Sequence, residues 1–369
     1  MVSPDLHREA AEQSDRQRVL FITRKWGPAV GGMETYCERL TAELARLQPV
    51  EIIALKGESN GQPPKASRLL AFPFTVLKRL VTTPDRPDIV HLGDMAIWPL
   101  GLLAKLIYPS SRVVLSAHGT DVAYGARGGL RGRLYDTYLR TGARLLKRAR
   151  VIANSRATRD RVGALDWRTQ AVVPLATDLK GALPKRKGAF DIVFAGRLVE
   201  RKGCGWFIRE VLPLLSNEAR LIVIGTVWDA DEEAALDRSQ VEFLGPMPQA
   251  RLAWHFAAAT CVVVPNIEPA NGEYEGFGLV APEAASAGGV VIASDSGGLA
   301  DAVIDRETGF LLEPGDARAW ADKIVEVAAW SEAERAEFIG RSQSMAQRHY
   351  SWSRVARDTV AAYREDLSA

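Results

Sequence analysis

In the stretch "EYEGFGLVAPEAASAGG", which begins at Glu273, two glutamates, Glu275 and Glu283, bracket seven residues that are apolar, glycine or proline. Pro282 precedes Glu283 where a helix of small residues is expected to start, and a proline's missing N–H and fixed φ suit that position. The unpaired N–H groups of a helix start carry partial positive charge and favour a carboxylate or a bound phosphate. Two readings are open on these residues alone. One is a loop-then-helix that grips an anion, with one acid before the grip and one just inside it. The other is an ordinary strand–helix junction carrying two solvated acids.

The elements around this stretch narrow the choice. The chain begins its regular pattern with a strand, "RVLFITRKW", followed by "GPAVGG" and a helix-period run, "METYCERLTAELARL". Met33, Tyr36, Leu40, Leu44 and Leu47 recur there at helical spacing. Further strand-like runs, "VEIIAL", "DIVHL", "RVVLSAH", "RVIANS" and "AVVPLA", alternate with helical patterns. After "LKGALPKRKG", which reads as a linker, a second series follows: "DIVFAGRL", "RLIVIG", "VEFLG", "CVVVPN", "VVIASD" and "GFLLEP". Short β-rich runs alternating with helices predict parallel, doubly wound sheets. The α/β chain therefore divides into a tail over 1–18, a Rossmann-like domain over 19–180, a linker over 181–189 and a second Rossmann-like domain over 190–345. A last amphipathic helix is expected within 346–369. In such sheets ligands sit at the carboxyl ends of the strands. Two of them facing across a cleft suggest an enzyme with two substrates. A dehydrogenase is the first rival, but "GPAVGGME" is not G-x-G-x-x-G, and no acidic residue ends the next strand correctly.

Composition sets further bounds. At 369 residues, with 47% hydrophobic and 25% charged residues, the sequence has the make-up of a globular protein of two domains. The opening "MVSPDLHREAAEQSDRQR" is neither a signal peptide nor a membrane span by pattern. The longest apolar run, "AIWPLGLLAKLIYP", is broken by prolines and Lys105 and is too short to cross a bilayer. Cys37, Cys204 and Cys261 lack C-x-x-C spacing, which argues against disulfides and a cysteine-rich zinc site and fits a reducing cytoplasm. The net charge of +2 hides an asymmetry: residues 1–187 hold 31 Lys+Arg against 17 Asp+Glu, and the rest holds 16 against 28. A nucleic-acid binder is suggested only by that basic first half, and no recognition motif supports it.

With these pieces in order, the sequence resembles glycosyltransferase family 4. The resemblance rests on "GPAVGGMET", "HGTD" at His118–Asp121, "VFAGRLVERKG", "FLGPMP", "EGFGLVAPEA", "SGGLADAV" and the C-terminal "YSWSRVA". They run in family order over nearly the whole chain after residue 18. The resemblance implies the GT-B fold: two Rossmann-like domains facing across a cleft, the first binding acceptor and the second a nucleotide-sugar donor. The C-terminal helix is expected to cross back to the first domain.

The implied activity is transfer of a hexose-type sugar from a UDP- or GDP-sugar with retention of anomeric configuration. The acceptor class it implies is a glycan or a lipid-linked glycan or glycolipid precursor of the cell surface. Arg197 and Lys202, five apart after a strand, both come within reach of one diphosphate, Arg as a fork of donors and Lys as a compact charge. Backbone N–H groups around Gly276, Phe277, Gly278 and Leu279 would add donors. Glu283 would accept from ribose hydroxyls, and Glu275 would contact the donor sugar. Gly31 and Gly32, opening a helix across the cleft, would let the backbone approach the distal phosphate or the acceptor. His118 matches the family's active-site histidine, and Asp121 is expected to orient it or its loop. The catalytic set implied is thus His118, Glu275, Arg197 and Lys202. His7, His91 and His255 match no motif and read as structural.

"DAD" at Asp229–Asp231 invites a manganese reading, but it runs into "EEAALDRS", an acidic helix start where such residues are expected anyway. No metal and no cofactor is expected beyond the nucleotide-sugar co-substrate. Retention without a residue that stands out as nucleophile favours a front-face route, with the leaving phosphate taking the acceptor's proton. Two rivals share the fold. A nucleotide-sugar 2-epimerase would need acid–base residues for elimination, and a non-catalytic partner subunit would be expected to lose the polar site residues.

A cytoplasmic protein is expected, with docking on the inner face of the cell membrane as a further expectation from "RGRLYDTYLRTGARLLKRAR", residues 131–150. On a helical wheel Leu134, Tyr135, Tyr138, Gly142, Leu145 and Leu146 fall in one arc of about 120°, predicted to face the core. Arg133, Arg140, Arg144 and Lys147 fall opposite. Residues 126–162 carry eleven basic side chains against Asp136 and Asp160. Attachment to an anionic surface would then be electrostatic.

Overall fold

The computed structural model describes residues 16–83, 85–181, 190–269 and 272–364. Of the expected tail and linker, 1–15 and 182–189 lie outside the described residues.

Two six-stranded sheets carry the fold. The first contains β1 (Val19–Thr23), β2 (Val50–Ala54), β3 (Ile89–Leu92), β4 (Arg112–Ala117), β5 (Arg150–Ala153) and β6 (Thr169–Val172), in the order β2-β1-β3-β4-β5-β6. The second contains β7 (Phe190–Ala195), β8 (Ala219–Ile224), β9 (Val241–Gly245), β10 (Cys261–Val264), β11 (Val291–Ser294) and β12 (Phe310–Leu312), in the order β12-β11-β10-β7-β8-β9. Every neighbouring pair is parallel. Central strands such as "IVHL" and "CVVV" are buried along their whole length, as strands covered by helices on both faces must be. Strand order reverses between β1 and β3 in one sheet and between β7 and β10 in the other. The crevices beyond those strand ends are where ligands of such sheets bind.

Helix α1 (Gly32–Leu47) covers the first reversal and buries Tyr36, Cys37, Leu40 and Leu44. Helices α2 (Ala66–Thr82), α3 (Trp98–Ile107), α4 (Gly129–Leu145) and α5 (Arg156–Ala164) complete the first domain. In the second, α6 (Val280–Ala287) carries Glu283, and α7 (Glu332–His349) begins at a capping box formed by Ser331 and Glu334. The last helix, α8 (Trp352–Arg364), begins at Trp352 rather than at 346, because α7 runs on through His349 before the chain turns at Tyr350. Helix α8 packs on α1, and its Val355, Ala356, Val360 and Tyr363 share one core with Tyr36, Leu40 and Leu44. The end of the chain is thereby built into the first domain.

The arc expected on residues 131–150 is corrected at two positions. Gly142 and Leu146 are buried and Tyr135 and Tyr138 pack on the core, with Gly132, Leu139 and Ala143 buried beside them, while Leu134 and Leu145 stand exposed. The helix sits down on its smallest residues: a Cβ on Gly142 would come within 2.7 Å of both Trp98 and Trp167. That close seat leaves Leu134 and Leu145 turned outward, beside Arg131, Arg133 and Arg144, which are also exposed.

Candidate active site

The second domain supplies a compact charged cluster at the β7/β10 reversal. Just past β7, the turn Glu200–Lys202 presents Arg201 and Lys202. Glu275 Oε2 accepts from Arg201 Nη1 at 2.8 Å, from Lys202 Nζ at 2.5 Å and from Asn266 Nδ2 at 3.2 Å. Burial alone would raise the Glu275 pKa, but the two cations outweigh it and hold the carboxyl at about 2. Glu283 lies in the first turn of α6, and burial pushes its pKa up to about 7, opposed in part by Lys202. Two glutamates bracketing one short loop are thus one firmly ionised and one poised near neutrality.

The loop between them is held by close backbone contacts. Gly278 has φ +85°, a left-handed conformation that favours glycine, and a Cβ there would strike Leu299 at 2.4 Å. The Glu275 carbonyl accepts from Gly298 N–H at 2.8 Å, so the "SGGLADAV" loop braces it. Phe277 is buried, and Leu279 lies across from the first domain, where a Cβ on Gly32 would sit 3.7 Å from its Cδ1. Gly31, just before α1, lies against Glu34, whose carboxylate pairs with Lys25 at 3.2 Å.

His118 ends β4 on the facing side. Its backbone N–H donates to Asp121 Oδ1 at 2.8 Å, and its Nε2 donates to the Gly93 carbonyl at 2.9 Å. That bond places a ring proton on Nε2. Burial raises the pKa of Asp121, whose carboxylate also accepts from Met95 N–H at 3.1 Å. The two domains meet here: a Cβ on Gly276 would lie 2.3 Å from the His118 carbonyl oxygen.

The structure brings His118, Lys202, Glu275 and Gly276–Leu279 to one crevice. Arg197 is exposed, with its guanidinium over the Trp228 ring at 5.2 Å. Sequence reasoning missed Arg201 and Asn266. The signal for Arg201 was present, since it adjoins Lys202 in "VERKG", and Asn266 closes "CVVVPN" at the end of β10. Asp229 in "DAD" caps a helical turn by accepting from Asp231 N–H at 3.0 Å. Among the described residues no group of three or more His, Cys, Asp or Glu could hold a metal ion.

Comparison with known proteins adds the family. Residues 30–180 match "Glycosyltransferase Family 4", and residues 189–329 match "Glycosyl transferases group 1". The chain belongs to the family 4 glycosyltransferases. A D-inositol 3-phosphate glycosyltransferase of Paenarthrobacter aurescens is 30% identical over 247 residues, 60% of this chain and 58% of that protein. A second, from a Nocardioides species, is 33% identical over 195 residues, 47% of this chain and 41% of that protein. The chain thus spans about half the length of these first relatives. A GDP-mannose-dependent alpha-(1-6)-phosphatidylinositol monomannoside mannosyltransferase of Mycolicibacterium smegmatis is 27% identical over 90% of this chain and 93% of its own length. In fold, the chain matches Anabaena HepE, solved with UDP and glucose, at a TM-score of 0.69 and 19% identity over 94% of this chain and 99% of that one. It matches sucrose-phosphate synthase of Thermosynechococcus elongatus at 0.68 and 22% identity over 95% and 98%. The architecture is that of GT-B glycosyltransferases.

Proposed function

We propose that this chain transfers a hexose-type sugar from a UDP- or GDP-sugar to a glycan or lipid-linked acceptor, retaining the anomeric configuration and using no metal. The observation that carries the reading is the Arg201–Lys202–Glu275–Asn266 cluster at the strand reversal, closed against His118 across the domain boundary. A nucleotide diphosphate would take Lys202 and Arg201, with Arg197, as counter-ions, a role played by Glu275 in the ligand-free protein. Preorganised positive charge at the leaving group is then built into the protein. Glu275, held at a pKa of about 2, is unsuited to abstracting a proton and suited to orienting sugar hydroxyls. The acceptor's proton would pass to the departing phosphate. Nδ1 of His118 would accept from a donor hydroxyl, and Gly31 and Gly32 would let the α1 start approach the distal phosphate or acceptor.

The nucleotide-sugar class is supported by the UDP bound in one structural neighbour and the GDP-mannose dependence of one relative. A lipid-linked acceptor fits the phosphatidylinositol-linked substrate named for that relative. It also fits the surface of the first domain. Exposed Leu70, Phe74, Leu77 and Val81 line one side of α2, and no acid occurs between Glu58 and Asp85. Helix α2 packs on α3 and α3 on α4, which itself leaves Leu134 and Leu145 exposed. No helix among the described residues is long and apolar enough to cross a membrane.

The test is incubation of purified protein with UDP-glucose or GDP-mannose and candidate acceptors, with and without EDTA. Acceptor-dependent release of UDP or GDP that EDTA does not suppress, with a product of unchanged anomeric configuration by NMR, is expected. Release of nucleotide without acceptor, or rescue of EDTA-treated protein only by manganese, would overturn it.

A further inference from the structure

A chain of buried hydrogen bonds runs through the first domain from its last helix to Tyr36, whose ring packs on that of His118. Tyr363 of α8 places its hydroxyl 2.5 Å from His91 Nδ1. His91 Nε2 lies 2.8 Å from Ser116 Oγ, which lies 2.8 Å from the Tyr36 hydroxyl. The Tyr36 ring meets the His118 ring edge-on, with centroids 4.5 Å apart. All five side chains are buried.

Burial, reinforced by His118, pushes the His91 pKa down to about 3, so its ring is neutral. A neutral imidazole has one donor nitrogen and one acceptor nitrogen. His91 therefore couples its two bonds, donating in one and accepting in the other, so that a change at Tyr363 is felt at Ser116. Strand periodicity adds a second route. His91 is two residues before Gly93, and Ser116 is two residues before His118, on the adjacent parallel strands β3 and β4. Residues two apart share a face, so the His91–Ser116 bond ties together the strand ends that carry the Gly93 carbonyl and the His118 ring bonded to it at 2.9 Å. Apolar residues would fill this core at lower desolvation cost, since buried polar groups are tolerated only when paired.

We propose that Tyr363 and His91 are positioning residues for His118, so that the chain's last helix sets the imidazole facing the donor sugar. The consequence for rate rests on the glycosyl-transfer reading given above; the geometry does not. Tyr363→Phe removes one hydroxyl and leaves His91 Nδ1 without its partner, and Ser116→Ala breaks the chain between His91 and Tyr36. Nitrogen-15 NMR of the ligand-free protein should show His118 protonated on Nε2, with that signal weakened or broadened in both variants. In transfer assays both should lower kcat about tenfold, the scale at which contacting residues couple, with the donor KM unchanged. Val360→Ala, a packing change on α8 outside the chain, should lower the melting temperature without moving the His118 signal or kcat. A His118 signal unchanged in both variants, or moved equally by Val360→Ala, overturns the proposal. The NMR result stands whether or not the protein transfers sugar, so failure of the activity reading is distinguishable.

Discussion

Glu275 and Glu283 carry the same group in opposite surroundings. Burial acts to raise the pKa of both, but Arg201 and Lys202 lie directly on Glu275 and hold it at about 2, whereas Glu283 is carried to about 7. If Glu283 accepts from ribose hydroxyls, a nucleotide binds its ionised form. Proton loss then accompanies binding below pH 7, and affinity rises with pH. Between pH 6 and 8 the ionised fraction implied by a pKa of about 7 grows about tenfold, and UDP or GDP affinity should follow. Calorimetry in two buffers of different ionisation enthalpy would report the released proton, and Glu283→Gln should abolish both effects. A pH-independent affinity in the parent protein would exclude Glu283 from the ribose. The cations make a second prediction. Arg201→Ala or Lys202→Ala should cost about 2–4 kcal/mol of transition-state stabilisation, the scale for a lost preorganised donor. Steady-state kcat/KM measures it, and a loss below about tenfold would remove that residue from the leaving-group site.

At the scale of elements, α2 and α4 differ from their neighbours in what they leave uncovered. On α2, Leu70, Phe74 and Val81 are 76%, 74% and 67% exposed. Burying such side chains contributes about 1.5–3 kcal/mol each, whereas each basic group near an anionic surface contributes about 1 kcal/mol. Attachment should therefore be chiefly insertional. Leu70→Ser with Phe74→Ser should abolish cosedimentation with vesicles containing acidic lipid, while changing Arg140, Arg144 and Lys147 together to Gln should only weaken it. Cosedimentation that survives the α2 changes would leave electrostatics alone, and none in the parent protein would remove the membrane. The same two helices mark what the sequence could and could not disclose. Alternating strand and helix periods placed both sheets, because burial on both faces gives strands such as "CVVV" an unbroken apolar pattern. On helix α4 the expected arc holds at Tyr135, Tyr138, Gly142 and Leu146 but not at Leu134 and Leu145, because the close seat of Gly142 against Trp98 and Trp167 turns the helix to bury Leu139 instead. Lys202 and Glu275 were legible through motif spacing. The grip of Arg201 and Asn266 on Glu275 was not, since it depends on the loop after β7 meeting the loop after β10 at one oxygen.

The whole molecule is held closed by contacts of very different strength. Arg156 binds Asp301 across the domains, Nε to Oδ1 at 2.7 Å, but its side chain is largely exposed, and such a pair is worth about 0–1 kcal/mol. The shared core of α1 and α8 joins the last helix to the first domain and reaches the crevice through Tyr36, whose ring centroid lies 4.5 Å from that of His118. A close approach between the domains is at Gly276, whose missing Cβ leaves room for the His118 carbonyl, with Gly119 close by at φ +91°. Both partners there are backbone and cannot turn aside as a side chain can. Gly276→Ala should therefore wedge the domains apart, because its Cβ would stand 2.3 Å from the His118 carbonyl oxygen. Its ionic and apolar donor contacts belong to the second domain, so nucleotide affinity should be kept. Closure that sets His118 against the donor should be lost, and a misplacement of about 1 Å is enough to cost about 100-fold in rate. Arg156→Ala, which removes only the exposed clamp, should alter the rate far less. Kinetics with small-angle scattering separates these outcomes: a larger radius of gyration with low kcat and unchanged nucleotide affinity is expected for Gly276→Ala. Full activity in that variant at an unchanged radius would mean that the domains do not need this contact to react.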